Sequence, residues 1–178
     1  MDKGNTIKLS RGFTLVELMT VIIIVGVILA LGAPAFQEII ESNRLRTSVN
    51  KISTALYLAK SEAITRGDAV YMCPSSDGAT CSGNYSAGWI VHIGTAATTP
   101  TRTLRAFDGL SSRESVHDKT GALVTDPLSF LPDGSSSAQV FTVCPPDGDT
   151  TKAWGVELNV VGRPRVKKGD ASWNCTIP

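Results

Sequence analysis

The chain has 178 residues, with 17 lysine and arginine residues against 16 aspartate and glutamate residues and a formal net charge of +1. This balance excludes attraction to nucleic acid or to a membrane surface through bulk charge, so any such attraction must be local. Apolar residues make up 42% of the chain and charged residues 19%, and the apolar residues are concentrated in one early block. This segregation argues against a uniform soluble globule and indicates one domain with an appendage.

The apolar block covers residues 13–36 and follows a leader, residues 1–12, in which basic residues outnumber acidic ones. A helix over the block measures about 36 Å, which exceeds the roughly 30 Å of a bilayer core. We therefore expect a transmembrane helix, with the N-terminus in the cytoplasm and the rest exported. The alternative is a secretory signal cleaved after the block, where Ala33-Pro34-Ala35 has the form of a cleavage site.

The junction between leader and block reads Arg11-Gly12-Phe13-Thr14-Leu15-Val16-Glu17. A carboxylate inside an apolar span is costly, about 2.5–3.5 kcal/mol at a central position, so Glu17 is a functional hypothesis by default. The alternative is a glutamate whose side chain reaches the membrane interface. RGFTLVE resembles the type III signal peptide of type IV pilins and type II secretion pseudopilins. The resemblance implies that a prepilin peptidase cuts after Gly12 and methylates the new N-terminus on Phe13, and it places Glu17 at the family's glutamate position.

The chemistry of this site follows from its charges. Cleavage leaves a cationic amine on Phe13 in a low-dielectric bundle of helices, where it needs an anionic partner. Glu17 of a neighbouring subunit can supply that charge, and at about 4 Å and an effective dielectric of 20 the pair gains roughly 4 kcal/mol before desolvation. We therefore expect Glu17 to set the register between stacked helices in a filament.

A single long helix is predicted from about Thr14 to Ile64. Pro34 removes one intrahelical hydrogen bond and disfavours helix at the preceding residue. In pilins a similar segment can melt when subunits pack, so the resemblance implies an assembly role for Pro34; a simple kink is the alternative. Residues 37–66 are amphipathic, with apolar residues at three- and four-residue steps, which predicts that a globular domain packs on this stripe: Leu45, Val49, Ile52, Leu56, Ala59 and Ala63.

Residues 67–178 change to short β-like runs separated by turn signals such as Pro132-Asp133-Gly134. The fold class predicted is α+β, in which a long N-terminal helix packs on an antiparallel β-sheet domain that is exported to the periplasm. The predicted loops cover residues 95–101 and 135–137. The predicted strands cover residues 69–73, 88–93, 102–107, 127–131, 140–144 and 154–161.

Four cysteines lie in this β-rich domain: Cys73, Cys81, Cys144 and Cys175. An even number in an oxidising compartment indicates two disulfides, for which three pairings exist. We favour Cys73–Cys81, which closes a small loop, and Cys144–Cys175, which ties the C-terminus to a strand.

No metal site, cofactor or catalytic activity is expected. The cysteines form no close CxxC pair, and His92 and His117 are not spaced as metal ligands. The sequence contains no nucleophile elbow, phosphate-binding loop or zinc-protease motif. An enzyme is therefore not predicted.

The resemblance extends beyond the signal. Ser61-Glu62-Ala63, the GWIVHIG run over residues 88–94 and Val161-Gly162-Arg163-Pro164-Arg165 resemble the GspH/FimT group of minor pilins and pseudopilins, although His92 and Gly94 depart from the acidic or aromatic residues expected there. The group implies a scarce subunit of a pilus priming or tip complex. Its implied partners are other minor and major pilins, the prepilin peptidase and the inner membrane, and its final location is the fibre or its tip at the cell surface.

A basic segment lies near the C-terminus, with four cations in six residues: Arg163, Arg165, Lys167 and Lys168. In an extended chain the first three project on one face, and Pro164 requires an edge strand or loop because it cannot donate to a ladder. An exposed basic row is a footprint for phosphate, and GRPR resembles the GRxR motif of FimT-type pilins that bind double-stranded DNA during natural transformation. The alternative is a solvated edge whose cations block strand pairing.

Three functional hypotheses follow. The first is a minor type IV pilin, the second a DNA receptor on that pilus, which is compatible with the first, and the third a pseudopilin of type II secretion. The cysteines weakly favour the two pilus hypotheses.

Overall fold

The structure, a computed structural model, describes residues 12–111, 113–169 and 172–175, and only the backbone over residues 31–35. The chain divides into two units, Met1–Ile40 and Glu41–Pro178, and we call the second the globular unit. The predicted leader lies outside the described residues, apart from Gly12.

Helix α1 runs from Leu15 to Arg66, within two residues of its predicted ends, and is the one helix among the described residues. Thr14 caps its start, because the Thr14 hydroxyl accepts a hydrogen bond of 3.2 Å from the backbone N–H of Glu17. Glu17 lies in the first turn, where a carboxylate interacts favourably with the positive end of the helix dipole. The backbone is helical through Pro34, so the proline does not end the helix in the isolated chain.

The first part of α1 is apolar and exposed. Every described large apolar side chain before Glu41 is exposed, with exposed fractions between 47% at Val21 and 79% at Phe13. Within the residues that the structure describes, no helix combines the length and the apolar character needed to cross a membrane. The transmembrane span over residues 13–36 is therefore not confirmed.

The described residues of the globular unit form two four-stranded antiparallel sheets. Sheet A has the strand order β3-β2-β1-β5 and sheet B the order β4-β6-β7-β8. The strands are β1 (Val70–Pro74), β2 (Gly88–Ala96), β3 (Thr99–Asp108), β4 (Ser115–His117), β5 (Leu128–Phe130), β6 (Gln139–Cys144), β7 (Trp154–Leu158) and β8 (Pro164–Lys168).

The core lies between α1 and the two sheets. The predicted apolar stripe of α1 is confirmed, because all six of its side chains are at most 1% exposed. They join one apolar cluster with residues from both sheets, including Met72, Trp89, Phe130, Phe141 and Val156. Tyr85 belongs to the same cluster and its hydroxyl donates to the carbonyl of Met72 over 2.9 Å, so the polar end of this ring is satisfied.

Three details of the predicted β-structure are wrong. The segment 95–101 is not a loop, because β2 and β3 extend into it and leave only a tight turn at residues 97–98. A Cβ atom at Gly94 would lie 2.0 Å from the carbonyl oxygen of Thr99, so glycine permits this close hairpin. The strand predicted over 154–161 ends at Leu158. Strand β4 was not predicted, because its three residues are too few to show an alternating pattern.

Two glycines fix the turn that precedes β8. Gly162 has φ of 68° and a Cβ atom there would lie 2.1 Å from the carbonyl oxygen of Gly134. Lys60 of α1 donates to the carbonyl of Val161 over 2.8 Å, and Asn159 accepts from the backbone N–H of Arg163 over 2.9 Å. The turn is therefore held against α1 and against the loop at Gly134.

We expect Gly162→Ala to lower the free energy of unfolding more than Gly83→Ala does. Both glycines have positive φ, 68° and 78°, which costs a residue with a side chain about 1–2 kcal/mol. Gly83 has no atom within 4 Å of the added Cβ, whereas Gly162 meets the Gly134 backbone. Urea unfolding of both variants measures the difference, and equal losses would mean that the contact between the two glycines relaxes without cost.

Candidate functional site

The basic segment forms the edge of sheet B. Among the described strands, β8 pairs only with β7, in the register Glu157↔Arg165, which agrees with the edge position predicted from Pro164. Arg165 and Lys167 are two residues apart on β8, so both lie on the same face of the sheet as Glu157, the cross-strand partner of Arg165. Lys167 Nζ lies 2.6 Å from Glu157 Oε2, so one of the four expected cations is neutralised.

The other three cations differ in placement. Arg163 lies in the turn before β8, not in the strand, and Lys168 lies on the face opposite to Arg165 and Lys167 by strand alternation. All three are exposed, and none forms an ion pair within the described part of the chain. The predicted single row is therefore split over a turn and two faces of an edge strand.

A fifth cation lies close to this strand. Arg46 on α1 is exposed, and its guanidinium carbon lies 5.4 Å from the centroid of the Trp154 ring. Trp154 is the cross-strand partner of Lys168. Side chains that lie directly opposite each other on paired strands are within contact distance, so Lys168 lies beside the Trp154 ring. No sequence pattern indicates Arg46, because it lies more than a hundred residues before β8 and is one of several charged residues on α1.

Both disulfides are formed, in the pairing that the sequence favoured. Cys73–Cys81 closes a loop of 8 residues and Cys144–Cys175 spans 31 residues. The second bond holds Trp173 over sheet B, where a Cβ atom at Gly155 would lie 2.7 Å from the Trp173 ring. Trp173 therefore covers the face of β7 at Gly155, and β7 is the strand that pairs with β8.

His92 lies against the Cys73–Cys81 disulfide. It is fully buried on β2 opposite Tyr71, and its Nε2 atom is 3.5 Å from Cys81 Sγ and 3.2 Å from the carbonyl oxygen of Ala97. Burial lowers the pKa of His92, so the imidazole is neutral near pH 7 and its Nε2–H donates to Ala97. Spacing along the sequence gave no indication of this cluster, because strand pairing and the disulfide loop create it.

His117 has a different environment. Its Nδ1 atom lies 2.9 Å from the carbonyl oxygen of Gly121 and its Nε2 atom 2.7 Å from the hydroxyl of Ser115. Both ring nitrogens are therefore engaged in local hydrogen bonds, which is the pattern of a structural histidine.

The remaining predicted residues lie at the start of the chain. Glu17 is exposed, and its carboxylate forms no ion pair among the described residues. Phe13 and Gly12 precede the helix and are exposed. The roles of Gly12, Phe13, Glu17 and Pro34 in processing and assembly stay predictions.

Comparison with known families gives the class. The described geometry, a long helix that starts at an apolar N-terminal segment and packs on antiparallel sheets, is that of pilin-like proteins. The family model "Type II transport protein GspH" matches residues 48–162 and the prokaryotic N-terminal methylation motif matches residues 7–33. Because the first match covers more than half of the chain, the protein belongs to the GspH family.

Curated relatives match over a shorter span. A fimbrial protein of Pseudomonas aeruginosa is 35% identical over 63 residues, which are 35% of this chain and 40% of the relative. The type IV major fimbrial protein FimA of Dichelobacter nodosus is 36% identical over 67 residues, covering 35% of this chain and 42% of that protein. The chain thus spans about two fifths of the length of these relatives.

Solved structures support the fold over most of the chain. The type IV minor pilin FimU of Pseudomonas aeruginosa superposes with a TM-score of 0.61 at 19% identity, covering 75% of this chain and 96% of that one. The minor pseudopilin EpsH of Vibrio cholerae superposes with a TM-score of 0.51 at 15% identity, covering 72% and 99%. The predicted pilin-like α+β fold is therefore confirmed.

We expect the free energy of unfolding to fall between pH 7.5 and pH 5.5, with His92 as one cause. The pKa of His92 is lowered from 6.5 in the folded chain, so the unfolded chain binds more protons once the pH falls through 6.5. The contribution is fully present above pH 6.5 and is lost below it, with a slope of at most about 1.4 kcal/mol per pH unit. Urea unfolding across this range measures the slope, which His92→Gln should reduce.

The Asp77 carboxylate does not obscure this measurement. Hydrogen bonds from the side chain and backbone of Thr80 hold the pKa of Asp77 far below its ordinary value, so this group titrates below the range tested. An unchanged slope in His92→Gln would contradict the prediction.

Proposed function

We propose that this chain is a minor type IV pilin, a low-abundance subunit of the priming or tip complex of the fibre. The observation that carries the proposal is the exposed apolar part of α1. An apolar surface of this extent marks a partner or a lipid surface, and the corresponding helices of other pilins are a partner of the required shape. In this proposal the inner membrane holds the helix before assembly, and prepilin peptidase creates the N-terminus at Phe13.

Glu17 is the residue that we propose for pairing with a neighbouring subunit. Its carboxylate is exposed in the first turn and has no ion-pair partner in the described chain. A charge that is unpaired in one subunit and enters an apolar bundle requires an opposite charge there. The methylated amine of Phe13 on the adjacent subunit meets that requirement.

We expect Glu17→Ala to reduce incorporation into sheared pili at least about tenfold, the factor that 1.4 kcal/mol represents. The globular unit should keep its stability, because Glu17 lies in the first turn of α1 and is not part of that unit. Glu38→Ala is the matched control, since Glu38 is another exposed glutamate of α1 and loses the same charge. Immunoblots of the sheared and membrane fractions give the readout, and normal incorporation of Glu17→Ala would contradict the role.

We further propose that the basic segment binds the phosphate backbone of double-stranded DNA. Arg163, Arg165 and Lys168 are exposed cations without ion pairs in the described chain. Strand β8 is an edge strand, so a duplex can approach it without displacing another strand. Arg46 adds a positive charge beside Trp154. Contacts of this kind bind DNA without reading its sequence.

Titration of residues 41–178 with a DNA duplex at several salt concentrations tests this proposal. Three phosphate contacts predict a slope of about −2.7 for the logarithm of the binding constant against the logarithm of the salt concentration. Arg163→Ala/Arg165→Ala should lower the affinity and bring the slope near −0.9. The matched control is Arg102→Ala/Arg105→Ala, which removes two arginines from the exposed β3 and should leave binding almost unchanged.

The ion pair in sheet B provides a gain-of-function variant. Glu157→Gln releases Lys167 from its 2.6 Å ion pair, so the slope should steepen by about 0.9. If the native protein fails to bind at low salt, or if both double variants lose binding equally, the basic segment is a protected strand edge and not a DNA site.

A pseudopilin of type II secretion is the second candidate. The description of the matching family as type II transport proteins favours it. Deletion of the gene distinguishes the two, because a minor pilin is required for surface pili and a pseudopilin for secretion of exported proteins.

A further inference from the structure

The cluster around His92 combines sulfur, nitrogen and oxygen atoms in one buried corner of sheet A. Cys73 and His92 are fully buried and Cys81 is half-buried. Strand pairing sets His92 opposite Tyr71, and Cys73, two residues after Tyr71, lies on the same face. The sulfur atoms of both cysteines and a ring nitrogen of His92 all lie within 4.8 Å of one another.

The distances match those of a tetrahedral zinc site. With Zn–S near 2.3 Å, Zn–N near 2.0 Å and Zn–O near 2.1 Å, tetrahedral angles separate the ligand atoms by about 3.5 Å (S to N), 3.4 Å (N to O) and 3.6 Å (S to O). The corresponding separations among Cys81 Sγ, His92 Nε2 and the carbonyl oxygen of Ala97 are 3.5, 3.2 and 3.7 Å. Three corners of a zinc tetrahedron are therefore already in place.

The fourth corner depends on the disulfide. While Cys73 and Cys81 are bonded at 2.02 Å, their sulfur atoms are not available as thiolate ligands. The loop that carries Cys81 is also held by other contacts. The backbone N–H of Ser82 donates to the carbonyl of Pro74 over 2.9 Å, and the Asp77 carboxylate accepts three hydrogen bonds from Ala79 and Thr80. Reduction therefore leaves both thiols near His92.

We propose that the globular unit has a redox-gated zinc site, in which Cys73, Cys81 and His92 bind Zn²⁺ when the disulfide is reduced and the Ala97 carbonyl occupies the fourth position. A dithiol reductant supplies two electrons and two protons, which break the S–S bond and form two thiols while the reductant closes to its own disulfide. Zinc binding then releases two thiol protons to solvent, and the imidazole proton moves from Nε2 to Nδ1. A disulfide oxidant reverses the sequence: it takes two electrons from the thiolates and two protons from solvent to become a dithiol, the Cys73–Cys81 bond forms again, and Zn²⁺ is released.

The second disulfide is an internal control. Cys144–Cys175 is reduced under the same conditions, but within the described residues the cluster at His92 is the only group of three ligand side chains. Reduction of Cys144–Cys175 should therefore create no zinc site of comparable affinity.

The test uses the purified full-length chain in detergent micelles, reduced with a phosphine that is then removed. Zn²⁺ is titrated in competition with a chromogenic chelator, and Co²⁺ is used to detect thiolate-to-metal charge-transfer absorption. We expect one tight Zn²⁺ per reduced chain, none in the oxidised chain, and wild-type binding in reduced Cys144→Ser/Cys175→Ser. Cys73→Ser/Cys81→Ser should not bind, and His92→Gln should bind more than about 100-fold more weakly, since loss of an outer-shell partner alone costs about 10–100-fold.

Folding is controlled separately. Far-UV circular dichroism of each reduced variant, recorded before metal is added, shows whether the chain remains folded. If Cys73→Ser/Cys81→Ser does not remain folded, the single variant Cys81→Ser is tested in its place. The proposal is overturned if the reduced wild type binds no more Zn²⁺ than the oxidised chain, if Cys73→Ser/Cys81→Ser still binds, or if folded His92→Gln binds as tightly as the wild type.

Discussion

The burial of one stripe of α1 against two sheets is the interaction on which the globular unit depends. The six stripe residues from Leu45 to Ala63 are almost completely buried, and full burial of a leucine, isoleucine or valine side chain stabilises by about 1.5–3 kcal/mol. Neither sheet has more than four strands, and both contribute residues to the same apolar cluster as the helix. The helix therefore forms the common surface on which the two sheets are held together.

This packing also determines where the basic segment lies. The last turns of α1 contact the chain on both sides of Gly162, through Lys60 to Val161 and through Tyr57 to the carbonyl of Pro164 at 3.4 Å. The cations of β8 are thus placed by the same helix whose first part has exposed apolar side chains. The Glu157 carboxylate reduces the net charge of this segment through its ion pair with Lys167.

Local patterns predicted the elements of this fold better than their arrangement. The three- and four-residue spacing on α1 identified its buried face, and Pro164 identified an edge strand, because each signal acts within a few residues. The division into two sheets, the short β4 and the hairpin made possible by Gly94 depend on contacts between distant segments. For the same reason the Lys167–Glu157 pair, Arg46 and the position of His92 beside Cys81 were not foreseen.

The covalent topology has a mechanical consequence. The two disulfides bridge residues 73–81 and 144–175, so α1 lies outside both covalent loops. It is joined to the sheets through the chain after Arg66 and by non-covalent contacts. A pulling force applied along α1 would load the buried apolar stripe before it stretched either S–S bond. The disulfides therefore preserve the two regions that they close, whereas the attachment of the helix rests on apolar packing and a few hydrogen bonds.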